Sequence, residues 1–408
     1  MKYTVHSNSW SYISVLLLAM FLFIAGCDNN GENPEPEPED KSVLIESTLV
    51  YTASAAQIKL LAQFSGFGLN INEFKYDANV YKVTYKTTYN SEDITASGLI
   101  VLPKTTDEVA MISFQHGTIT DHDDAPSNFS ESDPNALLYG ALSSSGFITV
   151  IPDYLGFGSS SSVLHPYYVE ELTASAVRDM LSAAKELAVE KEIHFNKKLF
   201  LAGYSEGGYA TMAVHKSIEE EDPEDFELVA SFPGAGAYNI AEMQNYLFGL
   251  TSYDDPSFIA YLIRAYEVTF EYTTIRAIFF KEPYASKIPG LFDGTKSSAE
   301  INSQLTTNLS DLFPGDLNEK LSEPGNAYIN DAFEANSLTD WAPNTKMFMY
   351  HGESDTTVPY ENSLSTYESL ISNGASESVL TLIPLSGDHN SALQPYILDF
   401  VPKLWALR

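Results

Sequence analysis

Apolar and polar residues are distributed in two different ways along the chain, and each predicts a different kind of strand. Residues 80–89 and 94–102 are rich in Val, Thr and Tyr, and the polar residues 90–93 between them predict a hairpin turn. Upstream, residues 55–67 carry a broad apolar face that predicts a helix. Downstream of the hairpin, short uninterrupted apolar runs alternate with stretches of helical periodicity. Such runs favour a parallel sheet covered by helices on both faces.

The downstream region contains a regular series of predicted strands and helices. The strands are expected at residues 109–114, 147–152, 199–202, 228–232, 347–350 and 379–384. The most strongly periodic helices are expected at residues 169–190, 206–218, 361–371 and 392–407. Antiparallel strands followed by repeated strand–helix units predict the α/β class, with a mostly parallel central sheet flanked by helices.

One long segment, residues 235–344, interrupts this series without a strand pattern of its own. It is dense in large apolar side chains, which include Phe248, Phe258, Tyr261, Leu262, Tyr266, Phe270, Phe279 and Phe280. The pattern predicts a mostly helical insertion. Its aromatic residues either line a pocket from above or form the core of the insertion itself, and for any single residue we favour the core.

A candidate nucleophile lies where a predicted strand meets a predicted helix. Residues 199–202 run into Gly203-Tyr204-Ser205-Glu206-Gly207, and a helix-forming stretch follows directly. A Gly-x-Ser-x-Gly turn between a strand and a helix exposes the serine hydroxyl, because the small residues beside it let the backbone bend sharply. We therefore interpret Ser205 as a catalytic nucleophile. The alternative is a glycine-rich turn with an uninvolved serine.

A serine hydroxyl needs a histidine base, and the histidine needs an orienting carboxylate. For a serine on such a turn the chain order is serine, acid, histidine. Asp355 follows a predicted strand and is our candidate acid, with Glu353 as its rival. His389 is the only histidine downstream of Asp355; the alternative is a solvated loop histidine. Its neighbour Asp388 is a poor candidate for the acid because adjacent loop residues seldom face each other.

Hydrolysis through such a serine also needs two backbone N–H groups that stabilise the oxyanion. Glu206, the residue after the nucleophile and the first of its helix, is expected to supply one. The second is expected from the loop Gln115-His116-Gly117-Thr118, from Gly117 or Thr118, with Thr118 slightly favoured. The alternative for this loop is a plain turn.

Charge and spacing exclude several other classes of function. The 408 residues include 22 Lys and Arg against 55 Asp and Glu, a formal charge of −33, which argues against nucleic acid or anionic membranes as partners. No spacing typical of a metal site is present, and the glycines of residues 151–159 do not open a helix as a dinucleotide site requires. We expect no metal or cofactor. Residues 151–159 are expected to wall the site, and residues 165–168 to form a structural turn.

The N-terminal residues predict export and anchoring rather than folded structure. Residues 1–26 have a short apolar core and end in Ile24-Ala25-Gly26 before Cys27, which resembles a bacterial lipobox and predicts lipidation of this cysteine. Cys27 is the only cysteine, so a disulfide within the chain is excluded. An acidic, proline-rich tether is predicted over residues 27–44, and the folded domain over residues 45–408. An ordinary secretory signal or an uncleaved anchor are the alternatives to an exported, membrane-anchored lipoprotein on a periplasmic or cell-surface face.

These motifs together resemble the α/β-hydrolase superfamily, and within it the microbial secretory lipase family and related bacterial esterases. The parallels cover most of residues 80–408 and include Pro152-Asp153-Tyr154, the Gly-Tyr-Ser-x-Gly-Gly turn, the long insertion, Val358-Pro359 and Gly387-Asp388-His389. The resemblance implies a serine hydrolase of carboxylic esters that forms an acyl-enzyme beneath a lid. A peptidase of the same fold, or a surface lipoprotein that only binds ligand, are the alternatives.

Overall fold

A nine-stranded sheet forms the centre of the computed structural model, which describes residues 42–66, 68–128, 136–221 and 224–408. The strands are β1 (Leu44–Ala53), β2 (Ala78–Tyr89), β3 (Glu92–Pro103), β4 (Val109–Gln115), β5 (Phe147–Pro152), β6 (Phe195–Tyr204), β7 (Glu227–Gly234), β8 (Lys346–Gly352) and β9 (Leu380–Leu385). Their spatial order is β1-β2-β3-β5-β4-β6-β7-β8-β9. Strands β1 to β3 pair antiparallel, β3 is antiparallel to β5, and all later neighbours are parallel. The predicted α/β class is confirmed.

Helices lie between many of the strands and after the last one. They are α1 (Ala55–Phe64), α2 (Ala136–Ser144), α3 (Glu170–Glu190), α4 (Glu206–Glu221), α5 (Ile240–Phe248), α6 (Pro256–Thr269), α7 (Ile275–Phe279), α8 (Tyr284–Leu291), α9 (Ser298–Asn302), α10 (Leu309–Leu312), α11 (Leu317–Leu321), α12 (Ala327–Ala335), α13 (Tyr360–Ser372) and α14 (Leu393–Leu407). All six strands and all four helices predicted for the downstream region are present, with ends that shift by a few residues.

The sheet has a separate hydrophobic core on each face. Met111 of β4 packs in the cluster that includes α3, α4 and the helices between β7 and β8. The next residue, Ile112, packs in the cluster that includes α1, α2 and α14. Successive side chains of a strand point to opposite faces, so one fully buried strand serves both cores. This is why its sequence is uninterrupted in apolar character.

The first strand was not predicted, and it moves the boundary of the folded domain. Strand β1 is an edge strand with mostly exposed or half-buried side chains, so its sequence has no buried face to mark it. Just before it, the carboxylate of Glu186 accepts hydrogen bonds from Ser42 Oγ at 2.7 Å, Val43 N at 2.9 Å and Leu44 N at 2.9 Å. The folded domain therefore begins by Ser42 rather than at residue 45.

Eight helices, α5 to α12, lie between β7 and β8, and we call residues 235–344 the insertion. Hydrogen bonds tie it to the body of the domain. Tyr266 in α6 donates to the Tyr168 carbonyl at 3.1 Å, and Tyr209 in α4 donates to the Asn336 carbonyl at 2.7 Å. The apolar residues of the insertion belong to the same core cluster as α3 and α4.

The predicted signal segment, Cys27 and the tether as far as Lys41 lie outside the described residues. Within the part of the chain that is described, no helix combines the length and the apolar character needed to cross a membrane.

Candidate active site

Ser205 occupies a sharp turn between β6 and α4. Its φ of 61° lies in the left-handed region, which a non-glycine residue adopts only where the surroundings enforce it. The glycines beside it permit close packing: a Cβ on Gly207 would lie 2.0 Å from the Gln115 carbonyl oxygen, and one on Gly208 would lie 2.2 Å from that of Gly234. The Gly234 carbonyl also accepts the Ser205 N–H at 2.8 Å. The strained turn is thus held from both neighbouring strands.

Three predicted site residues meet at the carboxyl edge of the sheet. His389 Nε2 lies 2.9 Å from Ser205 Oγ, and His389 Nδ1 lies 2.6 Å from Asp355 Oδ2. The Asp355 side chain is fully buried, whereas the imidazole of His389 retains 13% of its exposure. Because Nδ1 faces a carboxylate, it carries a proton, and the lone pair of Nε2 is directed at the serine hydroxyl.

The two other carboxylates considered for the acid, Glu353 and Asp388, each have a different environment. Glu353 is exposed. The Asp388 carboxylate accepts the backbone N–H groups of Asn390 at 3.1 Å and Ser391 at 2.8 Å, so it stabilises its own loop. Tyr204 donates its hydroxyl to the His389 carbonyl at 2.9 Å and fixes that loop from below.

Asp355 is held as a carboxylate by several donors. Its Oδ1 accepts the N–H groups of Thr357 and Val358, both at 2.9 Å. Burial pushes the pKa of the Asp355 carboxyl upward, but hydrogen bonds from His351 and His389 outweigh it and lower that pKa to about 2. The group is therefore ionised throughout the neutral range.

His351 is a second histidine beside Asp355, and its contacts hold the surrounding residues in place. Its Nε2 lies 2.8 Å from the Val358 carbonyl oxygen and 3.3 Å from Asp355 Oδ2, so this nitrogen carries a proton. Its Nδ1 lies 2.6 Å from Ser363 Oγ. The side chain is completely buried, and both of its ring nitrogens have partners other than Ser205.

The insertion binds directly to the loop that carries Asp355, residues 353–359, which we call the acid loop. Tyr246 donates to the Thr356 carbonyl at 3.1 Å, and Tyr253 donates to the Thr357 carbonyl at 2.9 Å. The Thr357 hydroxyl in turn donates to Asp255 Oδ2 at 3.0 Å. The position of the acid loop thus depends on residues of the insertion.

The residues predicted for the oxyanion hole lie on both sides of the serine. Glu206 is the first residue of α4, so its N–H has no carbonyl partner within the helix. Gly117 lies close by, since a Cβ built on it would be 3.7 Å from Ser205 Cβ. The Thr118 hydroxyl is 2.8 Å from the Tyr167 hydroxyl. Glu206 and Gly117 therefore lie beside Ser205, and Thr118 is the next residue along the loop from Gly117.

The segment between β5 and α3 differs from expectation. Residues 151–159 do not line the pocket described below; the loop supports the predicted oxyanion loop from behind, where Tyr154 donates to the His116 carbonyl at 3.0 Å. Tyr167 and Tyr168, expected in a structural turn, do line the pocket. The sequence offered one signal that another segment must approach the turn at the serine: Glu206 follows that serine in tightly packed surroundings, where a carboxylate needs a partner. That partner is His165, at 2.7 Å.

A pocket of about 760 Å³, its open mouth included, extends from Ser205 beneath the insertion. Its walls are almost entirely apolar. They are formed by Tyr167, Tyr168, Ala237, Ile240, Met243, Gln244, Leu247, Phe248, Tyr253, Phe258, Ile259, Leu262, Ile263, Phe279, Phe313, Phe333, Thr357 and Val358. A concave site with apolar walls favours burial of an apolar ligand group.

Both interpretations of the aromatic residues in the insertion hold, for different residues. Phe248, Phe258, Leu262 and Phe279 line the pocket. Tyr261 instead packs against Tyr167, with ring centroids 4.6 Å apart and planes inclined by 15°. Two adjacent residues of α6 therefore have different roles: Leu262 lines the pocket, and Tyr261 packs in the core.

Comparison with known proteins connects this geometry to a family. The sequence profile of the secretory lipases matches residues 130–392, a range that contains Ser205, Asp355 and His389. A search among curated proteins found no match.

Solved structures share the fold. A protein from Legionella pneumophila described as a hydrolase is 28% identical, with a TM-score of 0.79 over 89% of this chain and 98% of its own. The rice cell wall degrading esterase LipA from Xanthomonas oryzae, in a ligand-bound form, is 24% identical, with a TM-score of 0.79 over 90% and 99%. Candida antarctica lipase A in its closed state is 16% identical, with a TM-score of 0.62 over 89% and 80%.

Proposed function

The chain belongs to the secretory lipase family and is a carboxylic ester hydrolase, and we propose that Ser205, Asp355 and His389 perform the reaction through an acyl-enzyme. The observation that carries the proposal is the continuous hydrogen-bond chain from Ser205 Oγ through the His389 imidazole to Asp355. Nucleophile, base and orienting carboxylate stand in the order that proton transfer from the serine requires.

In the first half of the reaction, Ser205 Oγ attacks the ester carbonyl carbon while His389 Nε2 takes the hydroxyl proton. The carbonyl oxygen becomes an oxyanion, which the N–H groups of Glu206 and of Thr118 or Gly117 stabilise. The imidazolium of His389 then gives its proton to the leaving alkoxide as the carbon–oxygen bond breaks. The alcohol leaves, and the acyl group stays on Ser205.

In the second half, His389 takes a proton from water, and the hydroxide attacks the acyl carbon. A second oxyanion collapses, the bond to Ser205 Oγ breaks, and the imidazolium returns its proton to the serine. The carboxylic acid is released. Asp355 remains ionised throughout, because its pKa of about 2 is far below the neutral range, and it stabilises the imidazolium of both halves.

We propose that the acyl group occupies the pocket beneath the insertion, which acts as a lid. The pocket begins at Ser205 and is walled by apolar side chains, so it favours an aliphatic or aryl acyl group over a charged one. Each methylene buried there contributes about 0.8 kcal/mol, or about fourfold in kcat/KM. Substrates are thus small-molecule or lipid esters with an apolar acid component.

The test is a Ser205→Ala variant assayed on p-nitrophenyl butyrate. We expect kcat to fall by about a millionfold, because the nucleophile of such a triad cannot be replaced. Ser354→Ala is the matched control, an exposed serine in the acid loop, and should keep wild-type activity. The mechanism would be disproved if Ser205→Ala still hydrolysed the ester, or if a fluorophosphonate probe failed to label the wild type.

We further propose that Cys27 is lipidated and, once residues 1–26 are removed, becomes the mature N-terminus, so that the exported enzyme is anchored to a membrane. The proposal is supported by Ile24-Ala25-Gly26-Cys27 and by the acidic, proline-rich residues that follow it. Membership in a secretory family agrees with export. A Cys27→Ser variant should lose palmitate incorporation and membrane association; unchanged fractionation with the membrane would contradict the proposal.

A further inference from the structure

Two side chains of the segment between β5 and α3 reach Glu206 and Thr118, two of the residues expected to supply the oxyanion N–H groups. His165 Nε2 lies 2.7 Å from Glu206 Oε1, and the Tyr167 hydroxyl lies 2.8 Å from Thr118 Oγ1. Glu206 and Thr118 belong to different strand ends, yet both are hydrogen-bonded to residues only two positions apart in the chain. The segment therefore connects the two sides of the oxyanion hole.

The bond between His165 and Glu206 is enforced by burial. The two side chains are only 3% and 5% exposed, and a carboxylate without a partner at this depth would be strongly destabilising. His165 Nδ1 lies 2.7 Å from the Leu155 carbonyl oxygen, so this nitrogen carries a proton and the ring orientation is fixed. The remaining nitrogen, Nε2, then has the Glu206 carboxyl as its partner.

His165 itself is rigidly placed. The rings of Tyr154, Phe157 and Tyr261 surround it, at centroid distances of 5.8, 5.2 and 5.7 Å. Its backbone is packed against Gly156, where an added Cβ would lie 2.4 Å from the backbone nitrogen of His165. Because the ring is fixed, its hydrogen bond restrains the side chain of Glu206, the first residue of α4. The backbone N–H of the same residue is the one expected to stabilise the oxyanion.

Tyr167 is restrained in the same way. Its side chain is buried and stacks on Tyr261 of α6, at a centroid distance of 4.6 Å. In this ring orientation its hydroxyl reaches Thr118 Oγ1. Because α6 also lines the acyl pocket, the ring connects the insertion to the predicted oxyanion loop.

We propose that His165 and Tyr167 are positioning residues for the oxyanion hole, which fix the N–H groups of Glu206 and Thr118 through their side chains. The proposal rests on the mechanism proposed above. Donors of an oxyanion hole act because they are already oriented when charge develops, and removal of one costs about 10²–10³ in kcat. A donor that is kept but allowed to move should cost less than that, and the cost should fall on the transition state alone.

The experiment compares Tyr167→Phe, Glu206→Ala and Glu206→Gln in the full chain. Tyr167→Phe removes only the hydroxyl and keeps the stacked ring, whereas Glu206→Ala removes the tether but not the backbone N–H. We expect Tyr167→Phe and Glu206→Ala each to lower kcat about tenfold or more, with KM within about twofold of the wild type. Glu206→Gln should restore most of the activity, because its amide can donate to His165 Nε2 while Nδ1 keeps its proton toward Leu155.

Affinity for a trifluoromethyl ketone, which forms an oxyanion on Ser205, separates positioning from general damage. We expect its Ki to rise by the same factor as kcat falls, and the pH profile of kcat/KM to keep its shape because the triad is untouched. Tyr76→Phe is the control, since it removes a hydroxyl bonded to Asp107 at 2.6 Å on the exposed surface and should change neither constant.

The outcomes distinguish this inference from the mechanism on which it rests. Wild-type kcat and Ki in Tyr167→Phe and Glu206→Ala would overturn the inference, as would a rise in KM alone. A Ser205→Ala variant that still hydrolyses the ester would overturn the mechanism instead. If Glu206→Ala fails to fold, Tyr167→Phe decides the matter, since it removes the hydroxyl and keeps the ring.

Discussion

The edge of the sheet and the insertion contribute to one site by different physical means. At the sheet edge, Ser205, Asp355 and His389 follow β6, β8 and β9 within a few residues, so short covalent connections set their positions. The insertion contributes apolar surface, and its helices are positioned by packing against α3, α4 and each other. The groups proposed to react thus lie on loops that directly follow strands of the sheet. The shape of the pocket depends on helices that are held by packing.

The largest expected effect tests the sheet edge. Asp355→Asn keeps the shape of the side chain but loses its charge, and Asn can present an N–H to Nδ1, which favours the wrong tautomer of His389. We expect kcat to fall by about 10⁴-fold with the overall fold retained. Measurement of kcat and of far-UV circular dichroism tests this. The matched control, Glu353→Gln, alters an exposed carboxylate two residues away and should have no effect; equal losses in both would reject Asp355 as the acid.

The same substitution has a signature in the pH dependence of stability. The pKa of Asp355 in the folded state is about 2, below the ordinary value of about 3.9. A lowered pKa stabilises the fold above the unfolded value and ceases to do so as the pH falls through the folded value. The difference in Tm between the wild type and Asp355→Asn should therefore narrow from about pH 4 to about pH 2.

A second experiment compares one glycine from each region. Gly207→Ala would place a Cβ 2.0 Å from a backbone oxygen of the neighbouring strand, so the backbone must shift. We expect a loss of about 2–3 kcal/mol in the free energy of unfolding. Gly290→Ala, in α8 of the insertion, meets no atom within 4 Å and should leave stability unchanged or raise it by up to about 1 kcal/mol. Urea denaturation measures both free energies of unfolding. Equal changes in the two variants would show that the two regions do not differ in how tightly their backbone is packed.

A smaller and more selective effect is expected in the pocket. Leu262→Trp fills space beneath α6, so the longest acyl chains should lose about 10- to 100-fold in kcat/KM while acetate esters change little. A series of p-nitrophenyl esters from acetate to palmitate measures the shift. Leu60→Trp on α1, where the leucine is 54% exposed, is the control. A uniform loss across the series would show that the pocket does not hold the acyl chain.

The sequence predicted the sheet edge well, because local chemistry determines it. Buried strands such as residues 147–152 are recognisable from an uninterrupted apolar run, and the structure has β5 with the same bounds. Gly203 and Gly207 mark a turn that only small residues allow. The chain order of nucleophile, acid and base then selected Asp355 and His389 from a small number of candidates.

What the sequence did not predict depends on contacts between distant parts of the chain. Strand β1 has no buried face, so only its pairing with β2 identifies it. The partnership of His165 with Glu206 spans 41 residues and involves no recurring motif. Which large apolar residues of α6 face the pocket is decided by the rotation of that helix, and neither Leu262 nor Tyr261 carries a local sign of its direction.

The hydrogen bonds from Tyr246 and Tyr253 to the loop after Asp355 have a consequence for inactivation. Short helices of an insertion fray more readily than the strands of a central sheet, so mild denaturant would release them first. The acid loop would then lose two of its supports while the strands remain paired. Catalysis should therefore end at a lower urea concentration than the one at which the secondary structure melts, and the interval between the two midpoints measures how far the enzyme relies on its least stable part.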